Sequence, residues 1–393
     1  MTPELLRLIL AQVCLHAAMT GTRLAAPLLA LQQGYSAAAV GVLLALFALT
    51  QVFLALPAGR FADRHGLRRP LSIAVASATS GAALCAAFPV FPVLCVAALL
   101  TGGATGIAVI ALQRHVGRAA QNPTQLKQVF SWLAIAPAAA NFVGPFATGL
   151  LIDHAGRTPG DLMGYRVAFV LLLMLPLACW LLARSAKELP LSPRPAGAPR
   201  PRAWDLVAQP MFRRLLFVNW LQSASWDVHT FVLPLLGHER GLSASVIGSI
   251  LGAFAIAAAA VRVVLPAIAS RVSERNVITA SNVVTALVFA AYPFMAGPIG
   301  MGLCSVMLGV ALGAVQPMVM SMLHQITPHA RHGEALGLRL MTLNASSVAM
   351  PMLFGAAGAL IGVAGVFWIV GGVVALGTPT VRKLEAGNAH RAD

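Results

Sequence analysis

The sequence predicts an all-α integral membrane protein with twelve transmembrane helices in two pseudo-symmetric six-helix bundles. Of its 393 residues, 58% are hydrophobic and 10% are charged, whereas soluble domains carry about 25% charged residues. The apolar runs are continuous and approach the roughly 20 residues that a membrane-spanning helix needs. Membrane β-barrels instead have alternating segments of about ten residues. The second half of the chain also repeats the first.

Two sets of six apolar runs account for the predicted spans. The first set covers residues 5–31, 38–58, 71–91, 93–114, 129–152 and 165–184, and the second covers 212–237, 244–268, 276–296, 299–323, 335–360 and 362–381. Between the sets, residues 185–210 contain six prolines, which exclude a continuous helix and favour an extended linker. We therefore predict an N-terminal bundle over 1–184, a cytoplasmic linker over 185–210, and a C-terminal bundle with a short tail over 211–393.

An internal repeat supports this division. A shift of 207 residues aligns residues 27–48 with residues 234–255 and gives ten identities. The identical pairs include Pro27 and Pro234, Gly34 and Gly241, Gly41 and Gly248, and Phe47 and Phe254. Parallel repeats of six helices are typical of membrane proteins in which one half rocks against the other.

The basic residues predict the orientation. Of the 27 lysines and arginines, Arg157, Arg166 and Arg240 fall on one side of the predicted membrane, Arg23 and Arg262 fall within spans, and all others fall on the opposite side. Cytoplasmic loops carry the basic excess, so both termini are predicted to be cytoplasmic. This topology explains the net charge of +15 better than a nucleic-acid partner does.

The five cysteines lie within apolar runs and lack paired spacing, which favours structural thiols over disulfides or metal ligands. A cleavable signal peptide is not predicted, because the first apolar run, from Leu5, is too long for its apolar core. The sequence also lacks a phosphate-binding loop and a nucleophile elbow. We therefore predict a protein that is not an enzyme and that holds no cofactor or metal.

A basic segment between predicted helices 2 and 3 resembles the signature of the major facilitator superfamily, Gly-x-x-x-Asp-Arg-x-Gly-Arg-Lys. The matching residues are Gly59, Asp63, Arg64, Gly66, Arg68 and Arg69. The resemblance implies a twelve-helix secondary transporter of the bacterial inner-membrane type, in which this segment locks helices 2, 4 and 11 together. It implies that Asp63 pairs with Arg114 or Arg118 near the end of helix 4, or with the start of helix 11. The segment occurs in importers and exporters alike.

Predicted helix 5 resembles a degenerate form of the antiporter signature of that superfamily, through Gly144, Pro145 and Gly149. Small residues also allow helices to approach closely, which is the alternative explanation. The resemblance is incomplete in helix 4, because Gly102 stands where proton-driven drug exporters have an arginine. Proton coupling would then use other groups.

Asp227 is the sole carboxylate well inside a predicted span. Ionisable groups at membrane depth are costly and often mark a substrate or proton pathway. Burial and a nearby cation act in opposite directions on the proton affinity of a carboxylate, and proton coupling needs a balance between them. The alternative is a structural salt bridge between the two bundles.

On predicted helix 1, Arg23 shares one face with Gln12 and His16 at helical spacing. Three roles compete for Arg23: binding a substrate carboxylate or phosphate, pairing with Asp227 as an outer gate, or snorkelling to the membrane surface. His16 and His229 are candidates for titration near neutral pH, although a hydrogen-bonded structural role is more frequent for a buried histidine.

Further candidate ligand contacts are Gln222 and Trp226, which flank Asp227, and Gln316 on predicted helix 10. Arg262 on predicted helix 8 is open to two explanations, snorkelling or function. The expected activity is proton-coupled efflux of a small molecule by alternating access. The alternatives are uptake of a small organic anion held by Arg23 and, more distantly, a receptor that transports nothing. The expected partners are the substrate, protons and the lipid bilayer, with the protein acting as a monomer.

Overall fold

The computed structural model describes residues 2–158, 161–190, 203–242 and 244–384, and every regular element in these ranges is a helix. The first seven are α1 (Pro3–Gln32), α2 (Ala37–His65), α3 (Arg68–Ala87), α4 (Phe91–Ala119), α5 (Pro123–Leu133), α6 (Ile135–His154) and α7 (Leu162–Ala183). The next six are α8 (Trp204–Ala208), α9 (Pro210–Glu239), α10 (Ala244–Ile268), α11 (Glu274–Ala291), α12 (Pro298–Ile326) and α13 (His332–Arg382). The predicted all-helical fold class is confirmed.

Side-chain caps begin several of these helices. Thr2, Ser36, Asn122, Asp161 and Ser273 each accept a hydrogen bond from a backbone N–H in the first turn of α1, α2, α5, α7 and α11 respectively. Such residues satisfy one of the four N–H groups that a helix start leaves unpaired. The short polar segments between the apolar runs therefore determine where these helices begin.

Three predicted spans differ from single straight helices. The predicted helix 5 is divided at Ala134 between α5 and α6. Pro137 lacks an N–H and its ring clashes with the carbonyl four residues earlier, which explains a break at this point. The last two predicted spans together form α13, with a non-helical Gly362 (φ 74°) between them.

Ten helices in the described part of the chain are long and apolar enough to cross a membrane. Neither α9 nor the stretch of α13 before Gly362 is among them. In α9, the polar side chains of Asn219, Gln222, Asp227 and His229 interrupt the apolar sequence. The count of twelve spans thus stays a prediction, whereas the multi-pass membrane character is supported by ten helices.

The contacts divide the chain into two compact units. Unit 1 comprises Met1–Ala119, Ile135–Pro199 and His329–Asn344, and unit 2 comprises Ala120–Ala134, Arg200–Pro328 and Ala345–Asp393. Both units are therefore discontinuous in sequence, since α5 belongs to unit 2 and the start of α13 belongs to unit 1. The division into consecutive bundles at residues 184 and 211 stays a prediction. Part of the predicted linker (191–202) and the tail (385–393) lie outside the described residues.

In unit 1, α1 packs against α6 and α7, α3 packs against α4 and α7, and α2 packs against α4. Their core includes Leu29, Phe47, Phe169 and Leu172, which are at most 2% exposed. In unit 2, α12 packs against α10, α11 and α5. Tyr292 and Phe367 stack there with ring centroids 4.9 Å apart.

The internal repeat is visible in backbone geometry. Gly34 and Gly241, which are 207 residues apart, both have a positive φ, of 84° and 70°. Gly102 lies against the backbone of Phe47, and Gly309 lies against the backbone of Phe254; both members of each pair are again related by 207 residues. Equivalent helix pairs, α2 with α4 and α10 with α12, thus approach closely at equivalent glycines. The missing arginine at Gly102 is explained, since a side chain there would overlap α2.

Candidate functional site

A buried ion pair joins three helices in unit 1, and we call it the first junction (Asp63, Arg114, Gly333 and Glu334). Asp63 Oδ1 accepts hydrogen bonds from Arg114 Nε at 2.6 Å and from the Gly333 N–H at 2.9 Å. Asp63 Oδ2 accepts from the Glu334 N–H at 2.9 Å. The side chains of Arg114 and Asp63 are 2% and 9% exposed. One carboxylate from α2 thus binds α4 and the first turn of α13, whose N-terminal dipole favours a negative charge.

Gly59 allows this geometry. A Cβ at Gly59 would overlap the backbone of Gly333, lying 2.6 Å from its carbonyl carbon. One turn earlier on α2, the carbonyl carbon of Ala55 would lie 3.0 Å from a Cβ at Gly337 of α13. Backbone lies directly on backbone at this crossing, so α2 and the start of α13 come close enough for Asp63 to reach the N–H groups.

Gly66 and Arg68 have a different set of contacts. Gly66 ends α2 with a φ of 74°, and Glu188 caps the following helix by accepting from the N–H of Leu67 and, at 3.3 Å, from that of Arg68. Arg68 in turn donates to the Ala186 carbonyl at 3.0 Å. The residues after α7 are therefore fastened to the loop between α2 and α3.

The remaining predicted gating arginines, Arg118 and Arg64, have other surroundings. Arg118 donates to the Pro190 carbonyl at 2.8 Å and interacts with Asp63 electrostatically, whereas Arg114 hydrogen-bonds directly with the Asp63 carboxylate. Arg64 is exposed, and it forms no ion pair within the described ranges.

Unit 2 contains a second buried cluster, the second junction (Lys127, Glu274, Ser321 and Gln325), which the sequence analysis missed. Glu274 Oε1 accepts from Ser321 at 2.9 Å and from Gln325 at 2.8 Å. Lys127 Nζ lies 4.0 Å from Glu274 Oε2 and donates to the Val272 carbonyl at 2.7 Å. The internal repeat contains one indication of this cluster, because Ser321 lies 207 residues after Arg114 and is therefore its repeat equivalent.

Asp227 is half-buried on α9 in unit 2. Its carboxylate lies within hydrogen-bonding reach of the Ser347 side chain, and its Oδ2 is buried with no hydrogen-bond partner among the described residues. No ion pair involves Asp227 within those residues, so the described part of unit 2 supplies no salt bridge to it.

The neighbours of Asp227 on α9 have different surroundings. His229 is fully buried, hydrogen-bonds with Ser305 at 2.8 Å, and packs on Phe254 with ring centroids 4.3 Å apart. It is a core histidine. Gln222 donates to Asn282 at 2.9 Å, and Asn282 donates to the Val374 carbonyl at 2.7 Å, so Gln222 belongs to a network that holds three helices.

Trp226 is half-buried and packs edge-on against Phe254, with ring centroids 4.5 Å apart. The guanidinium of Arg262 lies 5.8 Å from the centroid of its indole ring. Arg262 is only 7% exposed, which argues against snorkelling. Gln316, on α12 of the same unit, is half-buried.

The predicted site residues of α1 lie in unit 1. Gln12 is 2% exposed, and its Oε1 has no hydrogen-bond partner among the described residues. His16 is half-buried within hydrogen-bonding reach of Asn141, and Arg23 is close enough to interact with His16 electrostatically. Arg23 is exposed. Gln12, His16 and Arg23 thus all lie on α1, and His16 interacts with Arg23.

Gly144 and Pro145 lie in α6, where α6 packs on α1. A Cβ at Gly144 would lie 3.0 Å from the Cα of Ala17, and Thr20 donates to the Ala140 carbonyl at 3.0 Å. Close packing of two helices therefore accounts for Gly144, which is the alternative explanation for the antiporter-like pattern.

The two halves of the chain match the same family. The profile of the Major Facilitator Superfamily matches residues 8–214 and, a second time, residues 215–391. No curated protein matches the sequence.

Similar solved structures share the fold over nearly the whole chain. The human organic anion transporter MFSD10 has a TM-score of 0.78 at 18% identity, covering 97% of this chain and 100% of its own. A bacterial homologue of the iron transporter ferroportin has a TM-score of 0.79 at 15% identity, covering 98% and 99%. The transporter FucP has a TM-score of 0.79 at 14% identity, covering 97% and 98%. With a family match over both halves and an all-helical fold, the chain belongs to the Major Facilitator Superfamily.

Proposed function

We propose that this membrane transporter is a secondary active transporter that exports a small molecule in exchange for protons, by alternating access, from the bacterial cytoplasm. The proposal of proton coupling is based on Asp227. This acid on α9 is half-buried, and one of its carboxylate oxygens has no hydrogen-bond partner among the described residues. A buried carboxylate oxygen needs either a donor or a proton. Asp227 is therefore the group that we assign to proton binding.

The first junction supports alternating access. Two of the three hydrogen bonds that Asp63 accepts come from backbone N–H groups at the start of α13. A carboxylate bound in this way holds α13 only while the helix start stays beside α2. The junction therefore forms or breaks as a unit when α13 moves, which is what a conformational gate requires.

The export direction rests on the antiporter-like Gly144 and Pro145, for which the packing of α6 on α1 is a competing explanation. A second candidate is uptake of a small organic anion bound by Arg23. Arg23 supports it, because it is an exposed guanidinium on α1 with no ion pair in the described part of the chain. One similar structure is that of an organic anion transporter, which makes this candidate a natural comparison.

Asp227→Asn tests proton coupling. In inverted membrane vesicles with a pH-sensitive dye, and with the aromatic cation ethidium and the aromatic anion benzoate as probes in turn, we expect substrate-induced proton release for the wild type and none for Asp227→Asn. The control is Asp153→Asn, since Asp153 is an exposed acid at the end of α6. Unchanged proton release in Asp227→Asn would make Asp227 a structural group.

The direction needs a separate measurement. Uptake into right-side-out vesicles that is abolished by Arg23→Ala and indifferent to pH would replace export by anion uptake. Ligand binding without flux in either orientation would instead indicate a receptor.

A further inference from the structure

Arg262 is a buried cation without a counter-ion in the part of the chain that the structure describes. It lies in α10, is 7% exposed, and donates from Nε to the Gly313 carbonyl at 3.3 Å and from Nη1 to the Ala134 carbonyl at 3.1 Å. A guanidinium stays charged in proteins and has five N–H groups. Among the described residues, these two bonds leave three N–H groups without a hydrogen-bond partner and the charge without a counter-ion, which is costly within a membrane protein.

The two carbonyl groups fix the direction of the guanidinium. Ala134 lies at the break between α5 and α6, and Gly313 lies where α12 crosses α10 closely enough to touch Ala258. All of these residues belong to unit 2. The Arg262 side chain is therefore held at two points, with its remaining N–H groups preorganised.

The guanidinium of Arg262 lies over the indole ring of Trp226, which offers a flat apolar surface next to the charge. Its indole centroid lies 5.8 Å from the Arg262 guanidinium, and Phe254 packs against the ring edge-on at 4.5 Å. Trp226 is only half-buried, so part of its surface is free of protein contacts. A planar guanidinium next to an aromatic ring matches a planar carboxylate attached to an aromatic group, which would use bidentate hydrogen bonds and stacking together.

Asp227 follows Trp226 on α9, yet it forms no ion pair with Arg262 among the described residues. Successive residues on a helix point about 100° apart, which directs the two side chains differently. The positive charge of Arg262 is thus available to a ligand, while Asp227 stays available to a proton.

We propose that Arg262 and Trp226 form a binding subsite for a small aromatic carboxylate. The inference rests on the proposed transport function and specifies the charge and shape of the substrate. In this arrangement Arg262 binds the carboxylate group of the ligand and Trp226 stacks on its aromatic ring. Asp227, on the same helix as Trp226, binds the coupled proton.

The first test uses the purified full-length protein in detergent and benzoate as the probe. We expect benzoate to raise the midpoint of thermal unfolding in a saturable manner, whereas benzyl alcohol and benzylammonium, of similar size but neutral and cationic, do not. Equal effects of the three compounds would overturn the proposal, since they would show that the carboxylate is not recognised.

Two variants separate binding from structure. Arg262→Gln should abolish the benzoate-dependent shift, and Arg262→Lys should weaken benzoate binding at least tenfold, because lysine keeps the charge without the bidentate geometry. Since Arg262 also holds α5 and α12, Trp226→Leu serves as the second variant, because it leaves both carbonyl contacts in place. Trp226→Leu should weaken binding of benzoate at least fivefold and leave binding of propionate, which has no ring, unchanged.

The outcomes distinguish this subsite from the proposed coupling. Normal benzoate binding by Asp227→Asn, with loss of proton release, supports both proposals. Normal benzoate binding by the wild type without any coupled proton movement supports the subsite and overturns the coupling. Benzoate binding that survives both Arg262→Gln and Trp226→Leu overturns the subsite, whatever the coupling assay shows.

Discussion

The two junctions occupy related places in the repeat but use different chemistry. In the first, the acid Asp63 is on α2 and its base Arg114 is on α4, at 2.6 Å. In the second, the residue 207 positions after Arg114 is Ser321, and the residue 207 positions after Asp63 is Ser270. The acid of the second junction is Glu274, in the first turn of α11, and its cation is Lys127 on α5. Lys127 Nζ lies 4.0 Å from Glu274 Oε2.

This difference shows how a repeat can keep a location while its interactions change. The first junction is a short ion pair completed by two backbone N–H groups of α13. Glu274 is held mainly by neutral donors, Ser321 and Gln325, and Lys127 has a carbonyl partner of its own. Removing a partner should therefore be much more harmful in the first junction than in the second.

The largest effect is expected for Asp63→Ala. It leaves Arg114, whose side chain is 2% exposed, buried without its acid, and loss of one partner of a buried pair costs about 3 to 5 kcal/mol. Thermal unfolding in detergent, followed by tryptophan fluorescence, should show a large decrease in the midpoint. Turnover in a transport assay should fall strongly with substrate preference unchanged.

The double variant Asp63→Ala with Arg114→Met makes this prediction sharper. Because the methionine removes the uncompensated charge, the double variant should be more stable than Asp63→Ala alone. Additive destabilisation by the two changes would show that the pair is not energetically coupled, and the contrast between the junctions would then be lost.

An intermediate effect is expected for Gly59→Ala. The new methyl group would overlap the backbone of Gly333, and overpacking of this kind costs typically about 1 to 3 kcal/mol. Gly41→Ala is the matched control on the same helix, because a Cβ at Gly41 meets nothing within 4 Å. If both variants unfolded at the wild-type temperature, the close crossing of α2 and α13 would not be needed for the first junction.

The smallest effect is expected for Lys127→Met in the second junction. Lys127 Nζ and Glu274 Oε2 are 4.0 Å apart, and Glu274 keeps its two hydrogen bonds from Ser321 and Gln325. We therefore expect the loss in the free energy of unfolding to stay below the about 3 to 5 kcal/mol that removing one partner of a closely paired buried ion pair costs. Chemical or thermal unfolding of Lys127→Met and Asp63→Ala side by side measures the two losses in the free energy of unfolding under the same conditions. A loss as large as that of Asp63→Ala would mean that the two junctions are equivalent despite their different geometry.

Site residues could be predicted from the sequence only where a local pattern of residues marked them. The spacing from Gly59 to Arg69, through its family resemblance, indicated that Asp63 binds helix 4 or helix 11, and the structure contains both contacts. The second junction has no such pattern, because its residues are scattered over α5, α11 and α12. His229 was a candidate for titration, yet its complete burial among Ser305 and Phe254 depends on packing that hydropathy does not reveal.

The sequence by itself determined the helical membrane fold, the repeat of 207 residues and the basic segment after α2, because hydropathy, spacing and charge are properties of neighbouring residues. Only the tertiary structure decided which side chains meet, since Asp63 and the Glu334 N–H are 271 residues apart in the chain. It also decided that Arg262 is buried between the Ala134 and Gly313 carbonyl groups. Burial and pairing depend on how several helices pack at once, and no single segment of the sequence contains that information.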